Sequence, residues 1–182
     1  MEEAFQEMNR LLLNYLASFK TFIDHLTNRY KSQSFLDDFN RLTADCYDGN
    51  FPYRFFSKLR NYVQHCGLLP GSIEISEYPG QNGNVVIKVL FRMDRDSLIS
   101  SFKWGAVRAD LQSQPQNMEL LPYLNGFHSQ IQLIYSVVST FEISLMKDSW
   151  QVIDGLVHEA QDKYPGSRPF IGRYEEAEGQ RK

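Results

Sequence analysis

The chain has 182 residues, of which 42% are hydrophobic and 14% aromatic, and its formal net charge is -3. Enough apolar material for one compact core excludes disorder over most of the length, and the acidic balance excludes a globally basic nucleic-acid coat while leaving room for a local basic patch. The two cysteines, Cys46 and Cys66, are too few for a disulfide scaffold or a four-thiolate zinc centre.

The first predicted element is a long helix from Glu2 to about Lys31, a stretch without Gly or Pro. Phe5, Met8, Leu12, Tyr15, Phe19, Phe22 and Leu26 alternate three and four apart, and Leu11, Leu16 and Ile23 widen that stripe. A second helix is expected over 34–46, with Ser34 as cap and Phe35, Phe39, Leu42 and Cys46 on one face, ended by Asp48-Gly49-Asn50. A third runs from about Pro52 to Cys66 with Phe55, Leu59, Tyr62 and Cys66 inward. Gly67 and Pro70-Gly71 stop it.

The period then changes to two. Ile73 and Ile75 alternate with Glu74 and Ser76, and the run VVIKVLFRM follows a Pro-Gly-Asn loop. This predicts a β-hairpin over 72–93, lying on the bundle or paired with a partner, because a lone hairpin is marginal in water. A helix capped by Asp94 or Asp96 should reach about Leu111, with Trp104-Gly105 as a possible break, and 112–117 reads as a loop. Leu124, Phe127, Ile131, Ile134, Val138, Phe141 and Leu145 form a second stripe, expected to pair with the first as the central helices. A last helix carries Trp150, Ile153, Leu156, Val157 and Ala160 and ends at Tyr164-Pro165-Gly166. The polar tail 167–182, with Phe170 and Ile171 as its apolar grip, is expected to be poorly ordered.

The fold expected is thus mainly α, a helical bundle with an inserted β-hairpin, forming one domain over 1–166. No apolar run is long enough to span a membrane and the N-terminus has no signal-peptide core. A cytoplasmic protein with both thiols free and buried is the reading.

One segment carries possible chemistry. No Asp or Glu occurs between Asp48 and Glu74, and that window holds Arg54, Lys58, Arg60 and His65. A local electropositive site for an anion such as RNA phosphate follows. Arg54, Lys58, Asn61 and His65 step four, three and four along one helical face. Arg60 and His65 lie roughly 140° apart around an ideal helix, so either Arg60 bends round or the two groups meet across a two-fold axis. His25, His128 and His158 show no metal-ligand spacing and read as structural or solvated.

Arg60-Asn61-Tyr62-Val63-Gln64-His65 resembles the R-N-x-x-x-H motif of HEPN-domain proteins. Those are small helical bundles, many of them metal-independent endoribonucleases of toxin–antitoxin, anti-phage or RNA-processing systems, with the motif commonly at a dimer interface. One toxin branch has an aromatic two positions after the histidine; here Cys66 and Gly67 follow. The resemblance implies RNA as substrate, a homodimer, a protein partner or antitoxin, and no cofactor or metal. It assigns Arg60 to the phosphate, His65 to acid–base work and Asn61 to orientation, with Arg54 and Lys58 on flanking phosphates. The alternative is a non-catalytic helical interaction module that binds a protein or RNA partner.

Overall fold

The computed structural model describes residues 2–166; the expectation for the tail 167–182 falls outside them. The chain is mainly helical with a small antiparallel sheet. In order the elements are α1 (Glu2–Tyr30), α2 (Phe35–Gly49), α3 (Phe51–Cys66), β1 (Gly71–Pro79), β2 (Val85–Asp94), α4 (Arg95–Ser101), α5 (Val107–Gln112), β3 (Asn117–Glu119) and α6 (Leu120–Lys163). The described residues fall into two compact units, one up to Ser136 and one from Val137.

The local signals act largely as their chemistry dictates. Asn50 caps α3 by accepting the Tyr53 N–H at 2.9 Å, Pro52 sits in its first turn, and Gly67 ends it at φ +97°. Asp94 caps α4 by accepting the Ser97 N–H at 2.7 Å. The chain breaks between α4 and α5, where Gly105 takes φ +61°. Ser34, by contrast, makes no capping bond, because its own backbone is already helical (φ -60°, ψ -23°) and its hydroxyl does not meet the α2 amides.

The core of the first unit is organised around α3, which is in contact with α1, α2 and α5. Its Phe55, Phe56 and Leu59 are fully buried. On one side Trp104 stacks on Phe55 and Tyr62, with ring centroids 5.5 and 5.7 Å away, and gives its indole N–H to the Leu98 carbonyl at 2.7 Å. On the other, Phe127 of α6 wedges between Phe19 at 4.8 Å and Phe56 at 5.1 Å. The two long stripes do meet: Tyr15 packs its ring edge-on to Phe127, and its hydroxyl hydrogen-bonds His128 Nδ1 at 2.7 Å. They are not the central pair, however: α3 holds that place, and its Tyr53 packs against both Phe19 at 5.6 Å and Phe127 at 5.8 Å.

Burial along α1 follows the expected stripe at Leu12, Leu16, Phe19 and Leu26 and shifts toward Asn9 and Tyr30, which are buried too, whereas Leu11 is 54% exposed. Asn9 is the one buried polar side chain among the described residues. Its Nδ2 donates to the Phe5 carbonyl at 2.9 Å, and its Oδ1 accepts the buried Leu69 N–H at 2.8 Å. It moors the turn between α3 and β1, where a Cβ added to Gly71 would lie only 1.9 Å from the Arg92 carbonyl oxygen.

The expected hairpin forms, with the register Ile73↔Phe91, Ile75↔Val89, Glu77↔Ile87 and Pro79↔Val85. Three corrections follow. β3, inside and just beyond the expected loop, pairs with Arg92–Asp94 and completes the order β1-β2-β3; three residues are too few to show a period of two. The hairpin also does not lie along the bundle. Met93 at its base is buried, but Val85, Val86, Ile87 and Val89 are exposed, because strands rising about 3.3 Å per residue carry the register past the helices. Finally, the two separate helices expected over 124–145 and 150–160 are one. Lys147-Asp148-Ser149 contains no breaker, and Gly155 alone does not interrupt the helix.

Candidate functional site

The five residues singled out by sequence all lie on α3, and packing separates them. Arg54 faces α5: its Nε donates to Asp110 Oδ2 at 3.1 Å, and its Nη1 donates to the Tyr47 and Asp48 carbonyls at 2.7 and 2.5 Å. The side chain is 17% exposed and ties the α2–α3 turn to α5. Arg60 faces the other way, into a cleft of about 280 Å³ between α1, α2 and α3, beside Phe19, Ile23, Thr43, Tyr47 and Ser57. Its Nε is buried without a hydrogen-bond partner among the described residues. Lys58 and Asn61 are half-buried, and His65 is exposed in the last turn. His65 does not line the Arg60 cleft, in keeping with five residues of helical twist between them.

Cys66, expected buried, is exposed and donates its thiol to the Ser101 carbonyl at 3.3 Å, because α3 ends there and its last turn outruns the core; Cys46 is buried as expected. Burial, and then the neighbouring Asp45 charge, pushes the Cys46 thiol pKa above its ordinary value. Among the described residues no group of three His, Cys, Asp or Glu is placed to hold a metal ion, and no helix is long and apolar enough to cross a membrane.

The pattern along the hairpin builds a different kind of site. Strand alternation puts Ile73, Ile75, Val85, Ile87, Val89 and Phe91 on one face, with Glu77 opposite Ile87 as a charge upon it, while Glu74 and Arg92, joined at 2.7 Å, lie on the other. At the base of the apolar face Phe91 joins Met8, Leu11 and Tyr15 of α1 and Leu120 and Leu124 of α6 in lining an apolar groove of about 520 Å³. Ile87 is 61% exposed and Leu121, next to the groove, 57%. Beyond β3, no strand among the described residues pairs with the outer edge of β2 over residues 85–91. The period-two signal was legible in sequence. That its apolar face would stay open, and would meet α1 at Phe91, was not.

Comparison with family models, curated proteins and solved structures finds no match to this chain.

Proposed function

We propose that the chain is a non-catalytic interaction module that takes an extended apolar segment of a protein partner. The observation that carries this is the open, largely apolar hairpin face, interrupted by Glu77, which meets the α1–α6 groove at Phe91. Exposed apolar patches on this scale mark interaction sites, and an unpaired strand edge beside one is a template for a further strand. A partner strand on the open β2 edge would continue the line of β3. Its backbone would hydrogen-bond β2, and alternate side chains would enter the groove.

A photo-crosslinking residue at Ile87 should capture a discrete partner in cells. The double variant Leu11→Asp with Ile75→Lys, carrying the same crosslinker, should lose the adduct. No adduct at all, or an unchanged yield from the double variant, refutes this reading.

A second reading, metal-independent RNA cleavage by a HEPN-like bundle, is favoured by the exposure of His65 on an acid-free helix. In it His65 moves the 2′-hydroxyl proton, Arg60 bears the phosphate charge, and Asn61 orients. Lys58 supplies a flanking cation; Arg54, held by Asp110, supplies little. Purified protein on structured and single-stranded RNA in EDTA tests it. Cleavage abolished by His65→Ala supports it, and an absence of cleavage by wild type removes it.

A further inference from the structure

The second unit has a surface of its own. Ile143, Met146, Trp150, Ile153, Val157 and Ala160 alternate three and four apart along α6, a heptad seam with positions a and d filled. A core helix would bury that seam. Here Ile143 is 65% exposed and Trp150 55%, and Met146 is exposed too, while Ile153, Val157 and Ala160 are half-buried.

We infer that this seam pairs with the same seam of a second copy of the chain, in antiparallel orientation, about a two-fold axis between Gln151 and Val152. The charge pattern selects both partner and direction. In that register the layers are Ile143 on Ala160, Met146 on Val157 and Trp150 on Ile153, each pairing a larger side chain with one no larger. Lys147 of one copy lies opposite Asp154 of the other at the flanking e positions, and Glu142 opposite Lys163 at the g positions. Each occurs twice by symmetry; within its own chain Asp154 also lies 3.7 Å from His158. Leu156, exposed at a further g position, falls opposite Ser149 and extends the apolar strip. A parallel pair would keep only Glu142 against Lys147, stack two Trp150 rings in one layer and leave Ala160 facing Ala160.

The inference is independent of the groove around Phe91 and of α3. The seam covers about 25 Å of helix, so a reversible dimer is expected rather than a permanent one.

Sedimentation equilibrium of the full chain over a dilution series tests it. Wild type should be a monomer–dimer system. Ile153→Glu should raise the dissociation constant about 100-fold or more, and Lys147→Glu and Asp154→Lys about tenfold each. An equimolar mixture of the last two should dimerise like wild type, because in an antiparallel heterodimer both flanking contacts become attractive again. A parallel pair would recover only one of its two contacts. Lys147 and Asp154 face solvent and Ile153 is half-buried; a far-ultraviolet circular dichroism spectrum and a urea midpoint unchanged from wild type show that the first unit remains folded.

A wild-type monomer at all concentrations overturns the inference. So does a dimer indifferent to Ile153→Glu, or a mixture no better than its components. Dimerisation that appears only when the chain is ended at Gly166 also overturns it, since the tail would then be the occupant.

Discussion

Replacing Asn9 by alanine removes the one acceptor of the Leu69 N–H among the described residues, and the cost can be worked from the contacts. The Leu69 amide lies in a buried bond to Asn9 Oδ1, and Leu69 itself is 2% exposed. Leaving that donor unpaired costs about 1–3 kcal/mol. The bond from Nδ2 to the Phe5 carbonyl adds roughly 0.5 kcal/mol, since that carbonyl keeps its helical partner. Alanine returns a similar amount through its higher helix propensity. The net loss is therefore about 1–3 kcal/mol, concentrated at the turn that joins α3 to β1. Urea denaturation with linear extrapolation should show a lower midpoint at unchanged slope. Amide exchange should show the Leu69 N–H losing its protection before the amides in the middle of α3 do. A loss under about 0.5 kcal/mol with the Leu69 amide still protected would refute the reasoning.

Other outcomes follow from burial and pairing. Leu16→Ala, at a fully buried site, should cost about 2–5 kcal/mol, and Ile131→Ala, only half-buried, clearly less in the same urea assay. Arg54→Ala should destabilise by about 1–2 kcal/mol, a buried-pair value reduced for the partial exposure of Asp110, and a double-mutant cycle with Asp110→Asn should show coupling. Asp94→Ala should cost about 1 kcal/mol through loss of the α4 cap. The Ser97 hydroxyl and N–H hold the Asp94 carboxyl below its ordinary value of 3.8. Its stabilisation is thus complete above that pH and lost as pH falls through the lowered value; the alanine variant should lack this segment of the acid-unfolding curve.

Local chemistry in the amino-acid sequence determined the kinds of element present and most of where they stop. Asn50 with Pro52 started α3, Gly67 ended it, Trp104-Gly105 separated α4 from α5, and the alternation of Ile73 and Ile75 with polar residues made a strand. These signals are local because caps, turns and periods act over a few residues of backbone. What they cannot carry is which apolar face another element will cover. Tertiary packing placed α3 at the centre and shifted the buried line of α1 so that Asn9 became a clamp. It also turned Arg54 toward Asp110 while Arg60 entered a separate cleft. The R-N-x-x-x-H hexapeptide was legible as a string, but residues five apart on a helix embedded among α1, α2 and α5 are drawn to different neighbours. The open hairpin face and the exposed first half of the α6 seam share that origin: their apolar periods are written in the chain, and their exposure was decided by tertiary packing.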